Sequence, residues 1–145
     1  MRHAIAAAAA LLLAACGASE EGTGPTMRPG SNCMASGCHS GGGEARRFTA
    51  AGTVFSGGNS TAGVAGAVVT ITPSSGAPVA LPTNSVGNFN TSASLTPPLD
   101  ITVSAGGQTN SMSGGASSGA CGSCHQPAGT LVARVHVGTC STCHP

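Results

Sequence analysis

Val68-Val69-Thr70-Ile71-Thr72 is a run of mainly β-branched residues that ends at Pro73 and the turn residues Ser74-Ser75-Gly76. A second run, Leu99-Asp100-Ile101-Thr102-Val103-Ser104, alternates between apolar and polar residues. Because successive side chains of a strand point to opposite faces, Ile101 and Val103 share one face in this run. Both runs therefore predict β-strands with one buried face.

The rest of residues 49–107 has the same character, with short β-rich runs between turn residues and no helical period. Further strands are predicted at Thr53–Phe55, Pro78–Leu81 and Phe89–Thr91. Strands of this length and spacing predict a mainly β fold, a small antiparallel sandwich. The segment contains no His or Cys and one acid, Asp100, so acid–base catalysis, nucleophilic catalysis and a catalytic triad are excluded from it.

The chemistry lies in cysteine motifs outside that segment. Cys121-Gly122-Ser123-Cys124-His125 and Cys140-Ser141-Thr142-Cys143-His144 both occur within residues 121–145. Two thiols two residues apart with a histidine directly after them are the pattern of c-type haem attachment. The thiols form thioethers to the vinyl groups on one edge of the porphyrin, and the imidazole takes an axial position on the iron.

A third, wider motif stands near the start, Cys33-Met34-Ala35-Ser36-Gly37-Cys38-His39. Its four intervening residues must loop out to give the same thiol spacing, as happens in some multihaem cytochromes c. We therefore expect about three haem c groups. The predicted thioether residues are Cys33, Cys38, Cys121, Cys124, Cys140 and Cys143, and the predicted axial ligands are His39, His125 and His144.

Two alternatives remain for these cysteines. The last four also have the spacing of a zinc ribbon, in which two Cys-x2-Cys knuckles hold one ion. Zinc does not need the histidine that follows each pair. Structural disulfides, including a disulfide-closed turn at Cys33–Cys38, also leave the histidines unexplained.

Sixth ligands to the irons come from a short set of residues. His136 lies in Val132–Val137, between the two tight motifs, and is predicted to be an axial ligand. The other donors are Met27, Met34 and Met112, for which an incidental role is the ordinary interpretation.

The N-terminus predicts export. Arg2 and His3 precede the apolar run Ala4–Ala15, which is too short to span a bilayer and is typical of a signal peptide over residues 1–15. The run ends in Leu13-Ala14-Ala15-Cys16, which resembles the bacterial lipobox, and this resemblance implies lipidation of Cys16. An ordinary signal peptide is the alternative. Of seven cysteines, lipidation of Cys16 leaves six, and these form the three pairs above.

The remaining segments are short. Residues 16–32 are predicted to be the lipidated N-terminus and a linker, 33–48 the first haem-binding segment, 108–120 a second linker and 121–145 the two-haem segment.

Arg46 and Arg47 are interpreted as solvated charges or as partners of haem propionates. The chain has no Lys, and after removal of the signal peptide four Arg balance four acids. This charge excludes a basic nucleic-acid-binding face.

The β-rich segment resembles the carboxypeptidase regulatory-like and related Ig-like sandwiches of exported bacterial proteins. The resemblance rests on Gly52-Thr53-Val54, Ala62–Ile71, Asn84–Phe89 and Leu99–Gly107. It implies an Ig-like scaffold without catalytic residues of its own, flanked by irregular haem-binding segments. The two ends of such a domain are expected on one side, which would bring the first motif near the others.

The chain as a whole resembles multihaem c-type cytochrome lipoproteins. The resemblance implies electron transfer in the cell envelope rather than an enzyme. Its partners would be other redox proteins of the envelope, and its lipid anchor would lie in the cell membrane or the outer membrane. The alternatives are a haem enzyme of the peroxidase or reductase type with an open axial position, and a structural or sensory lipoprotein built on zinc or disulfides.

Overall fold

The computed structural model describes residues 24–26, 28–42, 45–57, 60–112 and 115–125. Within these ranges the chain forms two β-sheets and a single turn of helix. The strands are β1 (Ala50–Thr53), β2 (Val68–Pro73), β3 (Val79–Pro82), β4 (Asn88–Thr91), β5 (Leu99–Ala105), β6 (Gln108–Ser111) and β7 (Gly119–Ala120), and the helical turn is α1 (Cys121–Cys124).

The larger sheet has the strand order β3-β2-β5-β6, with every neighbouring pair antiparallel. In its central pair, Val69 lies opposite Val103 and Ile71 opposite Ile101. These four side chains are all buried and belong to the hydrophobic core. The alternation seen in the two opening runs therefore sets both the register and the buried face of this sheet.

The smaller sheet has the order β4-β1-β7, and its central strand β1 is buried along its whole length. β1 runs antiparallel to β4 and parallel to β7, with Ala50 opposite Gly119 and Ala51 opposite Ala120. A Cβ atom on Gly119 would collide with the carbonyl oxygen of Thr49, so this pairing requires a glycine. Residues of both sheets meet in one core, which includes Ala50, Phe89 and Cys121.

The predicted mainly β fold and small sandwich are confirmed. Two details differ from the expectation. The first strand begins at Ala50 and ends at Thr53, while Phe55 forms an isolated bridge with Gly63. The β1–β7 pair is parallel, and the strands of the larger sheet lie between β1 and β7 along the chain.

Residues 108–120, predicted as a linker, contribute β6 and β7. β5 and β6 are joined by a hairpin loop made of Gly106 and Gly107 alone, which have φ values of 57° and 78°. Two positive φ values are what a type I′ turn requires, and glycine adopts them without strain. β6 lies at the edge of the sheet, and its sequence Gln-Thr-Asn-Ser has no alternation of apolar and polar residues.

Part of the predicted N-terminal linker also packs on the sandwich. The Gly30 N–H donates to Thr53 Oγ1 (2.8 Å), and the Thr53 hydroxyl donates to Asn88 Oδ1 (2.7 Å). The Pro25 carbonyl accepts hydrogen bonds from the side-chain amides of Asn84 and Asn88. Thr53 and Asn88 are buried, so these bonds satisfy polar groups that burial would otherwise penalise.

The predicted signal peptide and Cys16 lie outside the described residues. Among the residues that the structure does describe, no helix is long and apolar enough to cross a membrane.

Ile71→Ala should lower the free energy of unfolding by about 2 to 5 kcal/mol, because the side chain is fully buried and its removal leaves a cavity in the core. Val68→Ala on the same strand should lower the free energy of unfolding by about 0.5 kcal/mol or less, since Val68 is 38% exposed. Urea denaturation of both variants measures the difference. Equal losses would contradict the assigned inner face of β2.

Candidate functional site: two Cys–His motifs at one end of the sandwich

The first motif is a closed loop. The Ala35 N–H donates to the Asn32 carbonyl (3.1 Å), and the Cys38 N–H donates to the Ala35 carbonyl (3.0 Å). The His39 N–H then donates back to the Cys33 carbonyl (3.0 Å). The four residues between the thiols are thus taken up by tight turns, and the two ends of the motif are joined by a hydrogen bond.

The imidazole of His39 is held in place by its neighbours. Its Nδ1 lies 2.7 Å from the carbonyl oxygen of Arg46. Because a carbonyl can only accept, Nδ1 must donate, and in the neutral imidazole Nε2 then carries the free lone pair. The Phe48 ring stacks on the imidazole, with centroids 4.1 Å apart and planes 18° apart. A histidine that donates a hydrogen bond from one ring nitrogen to a backbone carbonyl, and has the other nitrogen available to coordinate a metal, has an arrangement common among metal ligands.

The second motif begins in α1. Cys121 and Cys124 are three residues apart and so lie on one side of the helical turn. The His125 N–H donates to the Cys121 carbonyl (3.0 Å), which closes the turn. The Ser123 hydroxyl donates to the Ala120 carbonyl (2.6 Å) at its start. The backbone therefore places both thiols and the following histidine in one compact turn.

The fold brings these two motifs together. A Cβ atom added to Gly122 would lie 2.7 Å from the Ser31 carbonyl oxygen and 3.0 Å from Asn32 Cα, so α1 touches the backbone directly before Cys33. The charge of a Cys33 thiolate also acts on the ionisation of Cys121. The ends of the sandwich thus lie on one side, as expected from the sequence.

Burial keeps two of the thiols protonated. Loss of solvent is the main cause that raises the pKa of Cys121 to about 11. A backbone hydrogen bond opposes the effect, and the charges of Cys124 and Cys33 add to it. The pKa of Cys33 is also raised by burial, although a backbone hydrogen bond opposes the effect. The thiolate is the reactive form, so these shifts slow oxidation and alkylation at neutral pH.

The four described cysteines differ in their bonding in the structure. Cys38 is disulfide-bonded, whereas Cys33, Cys121 and Cys124 are not. The structure therefore does not contain the disulfide-closed turn considered for Cys33–Cys38. A thioether needs a free thiol, so haem attachment at Cys38 requires that its disulfide first be reduced.

The described residues fit a haem in part. His39 presents an available Nε2, and the turn from Cys121 to His125 holds both thiols and a histidine in the required order. However, Cys121 is only 9% exposed and belongs to the hydrophobic core, so its sulfur is reached only through a local opening of α1. Across the described part of the chain, no group of three or more His, Cys, Asp or Glu side chains is arranged to hold a metal ion.

The remaining predicted site residues are only partly placed. Met112 is partly buried and packs on the core. Met34 lies at a cavity beside the first motif. Outside the described residues lie Met27, His136, Cys140, Cys143, His144 and the lipidation site Cys16.

Two glycines that support the site were missed at the sequence level. Gly52 leaves room for the Cys121 side chain, because a Cβ on Gly52 would lie 3.0 Å from Cys121 Cβ. Gly122 allows α1 to touch the N-terminal loop. An isolated glycine in a strand signals a close approach of this kind, and Gly52 in the predicted strand region carried that signal. The middle of a Cys-x2-Cys motif carries no such signal for Gly122.

Comparison of the chain with protein-family models, curated proteins and solved structures finds no match.

Gly122→Ala should reduce stability by about 1 to 3 kcal/mol, because the new methyl group meets backbone atoms of Ser31 and Asn32 rather than a flexible side chain. Gly57→Ala is the matched control. The nearest heavy atom to its new methyl group is 4.0 Å away, so it should change stability by less than about 0.5 kcal/mol. Urea denaturation measures both. If Gly122→Ala were as harmless as the control, the contact between the motifs would be wrong.

The haem-free chain should lose stability at alkaline pH. The folded state holds the Cys121 pKa near 11 against an ordinary value of 9.0, so the folded chain binds the proton more tightly. Stability should be intact below pH 9 and fall by roughly 2 to 3 kcal/mol as the pH rises through 11. The raised pKa of Cys33 adds to this change in the same direction, whereas the chain has no Lys or Tyr to add to it. Cys121→Ser should flatten the slope, while Ile71→Ala should shift the curve down and keep its slope. An unchanged slope in Cys121→Ser would exclude this thiol as the cause.

Proposed function

We propose that the chain is a lipid-anchored multihaem c-type cytochrome that transfers electrons in the cell envelope. The observation that carries the proposal is the meeting of two Cys–His motifs at one end of a sandwich whose own residues offer no catalytic groups. Bound haem would supply a one-electron couple at its iron. The chain's part is to hold such groups close together and to set their environment.

Each residue of the motifs has a distinct part in this proposal. Cys33, Cys38, Cys121 and Cys124 would provide the covalent attachment. His39, with Nδ1 engaged by the Arg46 carbonyl, would offer Nε2 to an iron, and His125 would do so at the second motif. The third motif at Cys140, Cys143 and His144, together with His136, completes the proposal on sequence grounds alone.

The sandwich holds the two motifs in a way that suits electron transfer between two bound haems. Because residues 28–42 and 115–125 are tied to the same strand β1, groups attached to the two motifs would stay close together. Lipidation of Cys16 would keep this end of the molecule near a membrane, where other redox proteins of the envelope are the proposed partners. The described residues contain no acid–base pair beside the motifs, so a carrier is favoured over a peroxidase or reductase.

One observation favours a second candidate, a disulfide-stapled structural lipoprotein. Cys38 is disulfide-bonded, and Cys121 is packed in the core as a small apolar side chain would be. In this case the thiols would stabilise the fold and His39 would be fixed for structural reasons. Cysteine pairs in exported proteins commonly serve this purpose.

Purification from a host that matures c-type cytochromes separates these candidates. The cytochrome should be red, with sharp α and β bands on reduction and about three haems per chain by pyridine haemochrome. The double variant Cys33→Ala/Cys38→Ala should lose about one of the three haems, since it removes one motif. Cys16→Ser, the matched control, should keep all of them and lose the lipid. A colourless protein would refute the proposal. Bound zinc in that protein would indicate a zinc ribbon, whereas intact disulfides without zinc would indicate a structural role.

The same preparation distinguishes a carrier from a haem enzyme. An electron carrier with both axial positions filled should show no spectral change when the reduced protein is exposed to carbon monoxide. A carbon monoxide complex would favour an open axial position and therefore the enzyme alternative.

A further inference from the structure

A cavity of about 240 Å³ lies directly beside the first motif. Its walls come from the motif itself, from the segment that follows it and from the loop before β5. They include Met34, Ser40, Arg47, Phe48, Leu95 and Pro97. Ser117, Ser118 and Gly119, which lead into the second motif, also line it. The cavity therefore lies where both motifs approach each other.

The wall of this cavity is apolar beside His39. Phe48 presents one ring face to the His39 imidazole and also lines the cavity. Leu95 is partly buried against the core and lines the same space. A volume of 240 Å³ is below the range of pockets that enclose a whole cofactor, so the cavity has room for an edge of a large ring.

Arg47 provides a cation at this cavity. Its backbone is held by a hydrogen bond from the Ser92 hydroxyl to the Arg47 carbonyl (2.6 Å). Its side-chain stem crosses Gly41, where an added Cβ would lie 3.4 Å from Arg47 Cδ. Gly41 has φ of 94°, so glycine is favoured there on backbone grounds as well. The structure records no carboxylate contact to Arg47 among the described residues, so its guanidinium is available to a carboxylate ligand.

We propose that this cavity receives the propionate-bearing edge of the haem held by the Cys33–His39 motif, and that Arg47 binds the propionate carboxylate. The inference rests on the proposed function and goes beyond it by assigning a positioning and potential-setting role to one of two adjacent arginines. Arg46 contributes its backbone carbonyl to His39 and does not line the cavity. The two neighbours therefore have different tasks.

The substitution Arg47→Gln should lower the reduction potential of one haem. Oxidised haem carries one more positive charge than reduced haem, so a nearby cation disfavours the oxidised form, and its removal favours it. We expect at least a threefold change in the redox equilibrium, which is about 28 mV for a one-electron couple. Arg47→Lys keeps the charge and should retain most of the potential. Both arginines are exposed, but Arg46 does not line the cavity, so Arg46→Gln removes the same charge from a position farther from the propionate and should have a smaller effect.

Redox titration in two backgrounds assigns the effect to the first haem. Arg47→Gln is measured in the full chain and in the Cys33→Ala/Cys38→Ala variant, which retains the other motifs. The shift should appear in the full chain and be absent from the variant. A shift of equal size in both backgrounds, or no shift beyond that of Arg46→Gln, would overturn the assignment. Haem content is measured in every sample, so loss of all haem refutes the proposed function, whereas bound haem with an unchanged potential refutes only the role of Arg47.

Discussion

The contact between the Cys121 side chain and the backbone of Gly52 is the constraint on which the arrangement of both motifs depends. A Cβ on Gly52 would lie 3.0 Å from Cys121 Cβ and 3.0 Å from the Phe89 ring, so glycine alone leaves α1 room against β1. β1 is also the strand whose Thr53 receives the N-terminal segment through Gly30. One buried strand of four residues therefore positions the chain on both sides of the sandwich.

Most of the sandwich was predictable, because its central strands carry strong local patterns. β2 and β5 alternate clearly, and their predicted inner face is the observed one. The sequence of β6 and β7 predicts a linker, because these strands carry no apolar alternation and are held by pairing with their neighbours. Gly106-Gly107 was nevertheless a readable hairpin signal. The parallel pairing of β7 with β1 carried no such signal, since a two-residue Gly-Ala strand has no pattern to detect.

The candidate site was predictable in its residue types and only partly in its geometry. The Cys-x2-Cys-His spacing indicates which side chains belong together, but it does not reveal that Cys121 packs in the core while Cys124 stays partly exposed. That difference comes from tertiary packing against Gly52. Likewise, the bond from His39 Nδ1 to the Arg46 carbonyl depends on how the loop after His39 folds back. Glycine-rich sequence permits such a loop without specifying it.

The parallel pairing of β1 with β7 also bears on the order in which the molecule folds and opens. Cys33 and Cys121 are separated by most of the described chain, and closing a loop of that length costs on the order of 4 kcal/mol of chain entropy. Two residues of β7 cannot offset this cost alone, so we expect the two motifs to meet only after the larger sheet has formed. The same weakness allows the ends to part while the rest of the sandwich stays folded. Access to the buried Cys121 sulfur can therefore be gained by a local opening, without unfolding the core.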